Sequence, residues 1–566
     1  MTALIPRNSL AWLLIAQLVV LVPHLPRLPW WIAVLWLGCA LWRVQIQRMR
    51  WGYPGRLLRA GGLLLTGLAV YLSQGTLIGL DATVMLLLLL FMLKLLEMRS
   101  PRDALVVIYL GFFIVATAFL FDQGIPLALY QGFCALILVA ALVGLQQSPA
   151  RNDPAAALRR AGAMVLQSLP LMLVLFLFFP RLAPLWSVNV PGSSARTGLS
   201  ESMAPADIAN LAQSPELAFR VEFDGQVPPA STLYWRAPTL SRFDGRTWSY
   251  DQRLEQRTVP PLSTAGAALV YQVVAEPSGR NWLYSLSGSV SSTPQVNRLA
   301  DDTLRALRPL SGTFAYTATA HSDALLQPEG LSVSERRREL QLPPSGDPRA
   351  RAWARQLRAE YGSDAQLIQA VLAHFSEQPF YYTLQPSPLG QHANDEFLFD
   401  SRRGFCEHYA GAMAFVLRAA GIPARIVTGY QGGELNPRGG YLLVHQFDAH
   451  AWVEAWLPGT GWTAFDPTFQ VAPTRIERGL EEAMREEGSF LAEAPLSGAR
   501  YRGVSWLNSL RLSWDDLNYQ WQRRVLNFRS EEQLALFRRW LGTADWQRIG
   551  VIVLALVFTL MAVQAF

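Results

Sequence analysis

Asp448-Ala449-His450-Ala451-Trp452-Val453-Glu454-Ala455-Trp456-Leu457-Pro458-Gly459-Thr460-Gly461-Trp462-Thr463-Ala464-Phe465-Asp466-Pro467 decides how the soluble part of this chain is read. The stretch reads as a β-hairpin turning around Pro458-Gly459-Thr460-Gly461. If the loop is Pro458 to Thr460, Leu457 pairs with Gly461 and Trp452 lies opposite Asp466. His450 and Asp466 then share a face as diagonal neighbours, at roughly 7 to 8 Å, a spacing that side chains bridge. A carboxylate there holds an imidazole in one tautomer and stabilises its charged form. A four-residue loop ending in a left-handed Gly461 is equally compatible with these residues, and without a bulge it turns Asp466 to the opposite face. Turn chemistry alone leaves both open.

Upstream of this hairpin, Arg403-Gly404-Phe405 precede Tyr409, Met413, Val416, Leu417 and Ala420, spaced as one face of a helix that Gly421 ends. Cys406 falls in the first turn. Unpaired N–H groups and the dipole at a helix N-terminus favour a thiolate, and the same groups stabilise an oxyanion. His408 is two residues past Cys406, about 200° around the helix axis, and points away from the thiol. His445 has no partner strand with a carboxylate. A zinc site on Cys406, His408 and His450 lacks a second cysteine, and structural zinc sites take four ligands. The residues therefore give a candidate nucleophile, Cys406, a candidate base, His450, and a candidate orienting carboxylate, Asp466, with no metal and no cofactor. Cys39 and Cys134 lie in apolar runs, so Cys406 is the one thiol of the soluble region and has no disulfide partner there.

The apolar residues are concentrated at the two ends of the chain. Runs near 10–22, 30–42, 57–72, 84–96, 104–121, 125–145 and 163–179 make about seven spans, and 549–566 makes a last one, although the first two runs are short for a bilayer. Residues 1–181 carry 14 Lys and Arg against 5 Asp and Glu; residues 182–566 carry 35 against 38. The excess positive charge sits between spans. Arg7, Arg43, Arg48, Arg50, Arg56, Arg59, Lys94, Arg99, Arg102, Arg151, Arg159 and Arg160 fall on one side if the spans alternate, whereas Arg27 and Arg181 fall on the other. By the positive-inside rule the soluble region lies outside the cytoplasm. This distribution explains the basic pI without a nucleic-acid partner.

The expected organisation is an N-terminal transmembrane region over 1–180, a β-rich domain over 181–340, an α+β catalytic domain over 345–475, an amphipathic helical connector over 476–546 and a C-terminal transmembrane helix over 547–566. Short alternating stretches before Asp224-Gly225 and Asp244-Gly245 mark the β-rich part. Pro343-Pro344-Ser345-Gly346 marks its end. Asp347 with Pro348 is expected to cap the next helix, and Ser363 with Gln366 the one after.

Gly404-Phe405-Cys406-Glu407-His408-Tyr409-Ala410, then Leu417 through Arg425, His450-Ala451-Trp452-Val453-Glu454 and Gly461-Trp462 with Asp466-Pro467-Thr468 resemble the bacterial transglutaminase-like domain. The overall plan is similar to the membrane-anchored TgpA-type transglutaminases. Leu95-Leu96-Glu97-Met98-Arg99, Tyr234-Trp235-Arg236 and Phe243-Asp244-Gly245-Arg246-Thr247-Trp248 also look like that family. The resemblance implies a papain-like fold and a Cys406, His450, Asp466 triad on the periplasmic side of the bacterial inner membrane. It further implies acyl transfer from a glutamine carboxamide of a periplasmic protein or peptide, through a thioester, to an amine or water. A cysteine peptidase or amidase acting on envelope peptides, or a catalytically silent envelope scaffold, are the rival readings. Animal transglutaminases use calcium, but no acidic loop here resembles an EF-hand. Lys94 is the only lysine, so the soluble region has no lysine side chain with which to crosslink itself.

Overall fold

The computed structural model describes residues 7–147, 153–179, 198–205, 207–262, 264, 266–483, 505–526, 533, 536–539 and 546–565. Arg151, Arg181, Trp540 and about half of the expected connector, including 484–504, lie outside the described residues. Two compact units make up the chain, Met1–Ser193 with Gln520–Phe566, and Ser194–Tyr519.

The first unit is helical. Its N-terminal part contains α1 (Arg7–Leu21), α2 (Trp30–Gln47), α3 (Arg56–Gln74), α4 (Leu80–Glu97), α5 (Pro101–Ala118), α6 (Ile125–Gln146) and α7 (Pro154–Phe178). Among the described residues, five segments are long and apolar enough to cross a membrane: Ser9–Arg27, Arg56–Gln74, Pro101–Ala118, Ile125–Gln146 and Pro154–Phe178. The expected runs at 30–42 and 84–96 form α2 and α4, but tryptophans and glutamines dilute the first, and Asp81, Lys94 and Glu97 interrupt the second. Helix α5 starts on a capping box in which Ser100 accepts the Asp103 N–H and Asp103 returns the bond to the Ser100 N–H. Helices α5 and α6 approach closely at Gly111, where a Cβ would lie 2.7 Å from Leu138. Small residues permit such approach where apolar solvent offers no hydrophobic drive to association.

In the second unit, the segments marked as β-rich and α+β share their sheets. A six-stranded sheet runs in the order β9-β10-β1-β3-β5-β4, made of β1 (Leu217–Phe223), β3 (Ala268–Ala275), β4 (Ser289–Ser291), β5 (Phe314–His321), β9 (Glu434–Asn436) and β10 (Tyr441–His445). A four-stranded sheet runs β12-β11-β8-β2, made of β2 (Tyr234–Leu240), β8 (Ala424–Gln431), β11 (Ala449–Leu457) and β12 (Gly461–Phe465). Strand β2 from the earlier segment therefore edges the sheet that carries His450, and β10 from the later segment completes the other sheet. One apolar core joins them, with Phe219, Trp235, Leu283, Ile368, Met413 and Ile426 all buried in it. Phe219 stacks on Tyr284 at 4.4 Å and meets Trp235 edge-on at 5.6 Å.

Helices α8 (Pro348–Glu360) and α9 (Asp364–Glu377) follow. The α9 cap is as expected, with Ser363 Oγ accepting the Gln366 N–H. The α8 cap is not. Asp347 adopts φ +48 and makes no side-chain cap; Asp395 instead accepts the Arg349 and Ala350 N–H groups at 2.9 and 2.7 Å. Asp347 accepts the Asn394 and Asp395 N–H groups in return. Two helix starts thus exchange carboxylates, an arrangement that local sequence does not encode.

Farther along, α11 (Ser505–Trp521) lays its residues up to Tyr519 on the six-stranded sheet. Asp515 accepts from Arg220 and Tyr441, both at 2.7 Å, and Tyr519 donates to Glu222 at 2.7 Å. The last helix, α12 (Trp546–Ala565), contains the apolar stretch Gly550–Thr559.

Candidate active site

Helix α10 (Cys406–Ala419) begins at Cys406 and ends before Gly421, which takes φ +84. It packs against β11, the strand of His450. Strand β6 (Tyr381–Tyr382) runs parallel to β7 (Arg403–Gly404), with Tyr382 opposite Gly404, and so delivers the chain to the helix start. The Ala451 N–H lies against the Cys406 thiol.

The hairpin adopts the first of the two registers. Leu457 pairs with Gly461 and Val453 with Phe465, which carries Asp466 to the face of His450. Gly461 nevertheless takes the left-handed conformation at φ +74, so the turn is a three-residue loop with a glycine bulge. A Cβ at Gly461 would lie 2.1 Å from the Leu326 carbonyl, so that segment selects the glycine as well. His450 Nε2 sits 2.9 Å from Asp466 Oδ2. Its Nδ1 is buried without a hydrogen-bond partner.

Asp466 has two further partners. The Tyr234 hydroxyl donates to Oδ2 at 2.8 Å, and the Thr468 N–H donates to Oδ1 at 2.9 Å. Burial alone would raise the Asp466 pKa, but His450, Tyr234 and the Thr468 amide outweigh it and hold the carboxyl below the usual range. Burial pushes His450 below its ordinary value, with Asp466 opposing. Burial pushes the Cys406 thiol up, and Glu407 adds to this; Arg475 and the Ala451 amide pull the other way without prevailing. Helix start notwithstanding, burial moves both groups toward their neutral forms, because desolvation of each charged form exceeds the helix-terminus effect.

His408 is not a competing base. Its Nδ1 accepts the Phe405 N–H at 3.3 Å, so it caps its own helix, and burial lowers its pKa to about 4. His445 stacks on Phe447 at 4.8 Å, and its backbone N–H is held by Asp448. Glu454, part of the same motif, is buried between Arg236 at 2.7 Å and Arg425 at 2.8 Å. Among the described residues, no group of three His, Cys, Asp or Glu could hold a metal ion.

Three neighbours of the site carried no role in the sequence reading. Tyr234 lies on β2, some 230 residues from its partner, and the Tyr-Trp-Arg run was its only signal. Arg475 follows Asp466 by a few residues and is 0% exposed; its Nη1 donates to Gln431 and its Nη2 to the Asp448 and Ala449 carbonyls at the start of the His450 strand. Tyr382 lies beside Cys406, Arg475 and Asp466. Cys406 and His450 are also 0% exposed, so a substrate reaches the sulfur only after neighbouring side chains shift.

A helix that opens on a thiol and packs against the strand of an imidazole, with a carboxylate just past the adjoining strand, is the framework of papain-like cysteine acyltransferases. Residues 12–327 match the TgpA N-terminal domain and residues 351–467 the transglutaminase-like superfamily. The chain is 52% identical over 548 residues to a protein-glutamine gamma-glutamyltransferase of Pseudomonas aeruginosa, spanning 97% of this chain and 82% of that protein. It is 32% identical over 169 residues to the uncharacterized protein YebA of Bacillus subtilis, 27% of this chain and 23% of that one. The crystal structure of the periplasmic domain of TgpA from Pseudomonas aeruginosa shares 50% sequence identity, covers 50% of this chain and 99% of its own, and gives a TM-score of 0.48. The chain belongs to the TgpA family of transglutaminase-like proteins.

Proposed function

We propose that Cys406 is the nucleophile of a glutamine-directed acyl transfer, with His450 as its base and Asp466 as the carboxylate that orients His450. The supporting observation is the His450 Nε2 to Asp466 Oδ2 hydrogen bond of 2.9 Å, which leaves Nδ1 buried and free to take a proton. As Sγ attacks the carboxamide carbon, the thiol proton passes to Nδ1. The resulting imidazolium is stabilised by Asp466 at Nε2, and it returns the proton to nitrogen as ammonia leaves and the thioester forms. An amine or water then attacks the thioester, with His450 again the base. A relative bearing the name of a protein-glutamine gamma-glutamyltransferase supports glutamine as the acyl donor, and a periplasmic protein or peptide as the substrate.

The membrane helices and the distribution of Lys and Arg support an inner-membrane protein with this unit on the periplasmic side. The test is thiol-dependent incorporation of a labelled amine into a glutamine peptide, with ammonia release measured in parallel, by the detergent-purified chain and by Cys406→Ala. Peptide fragments in place of ammonia would sink the reading in favour of proteolysis. Wild type and Cys406→Ala behaving alike would sink any thiol mechanism.

A further inference from the structure

Three tyrosine hydroxyls surround the candidate site, and two are committed. Tyr234 donates to Asp466, and Tyr409 donates to the Tyr381 carbonyl at 2.9 Å. The Tyr382 hydroxyl is buried and donates its proton to no acceptor. A buried hydroxyl whose proton has no acceptor is costly, so a fold that retains one beside a reacting centre is holding it for a group that arrives later.

The position of Tyr382 is tightly held. The Tyr381 N–H donates to the Arg402 carbonyl at 2.8 Å and the Thr383 N–H to the Gly404 carbonyl at 2.9 Å. The Tyr382 ring stacks on Phe405 at 4.9 Å and 29°. The phenol is therefore fixed to the two residues that precede Cys406. Its oxygen lies within electrostatic reach of the Cys406 thiol and of Asp466, and the Arg475 guanidinium faces it as a donor, which leaves the hydroxyl proton itself without an acceptor. Arg475 Nε is likewise buried and unspent. A donor hydroxyl backed by a fixed cation, next to a nucleophile, is an environment arranged for negative charge on oxygen.

Resting on the acyl-transfer reading above, we propose that Tyr382 Oη is the side-chain donor to the oxyanion, acting with the Cys406 backbone N–H. The Cys406 amide is the first of its helix and has no intrahelical partner. When the S–C bond forms, the carbonyl π pair moves onto oxygen, and that alkoxide accepts from Tyr382 and the Cys406 amide while the thiol proton sits on His450. As the C–N bond breaks, the pair returns to rebuild the carbonyl. Tyr382 lends its hydrogen bond and keeps its proton throughout; burial holds its pKa well above 10.

The test separates oxyanion stabilisation from thiol activation. Alkylation of Cys406 by iodoacetamide needs the thiolate but passes through no tetrahedral oxygen. Wild type, Tyr382→Phe and Cys406→Ala, each as the full chain in detergent, are assayed for ammonia release from a glutamine peptide. The alkylation rate at residue 406 is followed by mass spectrometry across pH. Tyr382→Phe is expected to lower kcat by about 10²- to 10³-fold, to leave KM within about threefold, and to leave alkylation and its pH dependence unchanged. An active wild type with an equally active Tyr382→Phe overturns the donor role alone. Alkylation falling in parallel with turnover overturns it in favour of an effect on the thiol or the fold. A wild type that releases no ammonia overturns the acyl-transfer reading and the donor role with it.

Discussion

The Tyr234 hydroxyl and the His450 ring share one oxygen of Asp466, at 2.8 and 2.9 Å. Tyr234 comes from the edge strand that the earlier segment adds to the four-stranded sheet, so this segment is built into the site and is more than a spacer. Hydrogen bonds to charged groups contribute about 1.5–3 kcal/mol. Tyr234→Phe is therefore expected to lower kcat/KM by roughly tenfold or more, with Cys406 still reactive toward alkylating agents. Unchanged kinetics would mean that Asp466 is held well enough without it.

The acid limb of activity follows from the direction of the His450 shift. His450 accepts a proton only when neutral, and burial lowers its pKa below the ordinary 6.5 while Asp466 partly restores it. Activity should rise with pH along a limb lying below 6.5. Asp466→Asn removes the restoring charge, so the limb should move to lower pH while the maximal rate falls by about 10²- to 10⁴-fold. A limb that moves upward would contradict the assigned pairing; pH profiles of kcat/KM for the two proteins decide it.

Gly429 has a close-packing role that no turn explains. It pairs with His450 on one side and Arg236 on the other, at a bulge in the β8–β2 pairing. A Cβ there would lie 2.1 Å from the Trp235 carbonyl and 3.0 Å from the Trp452 ring. Because the nearest atom is backbone, Gly429→Ala must separate β2 from β8 and draw Tyr234 away from Asp466. Destabilisation of about 2 kcal/mol or more is expected in urea unfolding of the Ser194–Tyr519 unit. A fully stable, fully active variant would show that the two strands tolerate separation.

The buried Arg236–Glu454–Arg425 network gives a second pH effect. Burial would raise the Glu454 pKa, but Arg236 and Arg425 overcome it and the net shift is downward. Its stabilising contribution is present above the ordinary carboxylate range and is lost as pH falls through the lowered folded value. Glu454→Gln removes the carboxylate that Arg425 and Arg236 share, leaving Arg236 only Asp302 at 3.5 Å, and should cost about 3–5 kcal/mol at neutral pH. Chemical denaturation at pH 7 should then give a much lower midpoint for the variant than for wild type. Equal midpoints would mean that water reaches the two arginines.

Much of this protein was legible in local pattern. The apolar runs, the helix starting at Cys406 and the strand alternation around His450 are set by periods of 3.6 and 2, which a chain displays before it folds. The same patterns placed Cys406, His450 and Asp466 as candidates, and they were enough to marshal three residues 60 positions apart into one hypothesis. What local pattern left open was which of two turns the hairpin makes. The Leu326 carbonyl, from a distant segment, crowds Gly461 and accompanies the register that turns Asp466 toward His450.

Other features belong to the tertiary structure alone. Asp347 and Asp395 exchange capping duties because two helix starts meet. Tyr234, Tyr382 and Arg475 reach the site through strand pairing and packing across the chain. The direction in which the Cys406 and His450 pKa values move is also decided there. A helix start by itself favours the thiolate, but complete desolvation favours the neutral pair, and burial is a property of the assembled core that no run of residues carries alone.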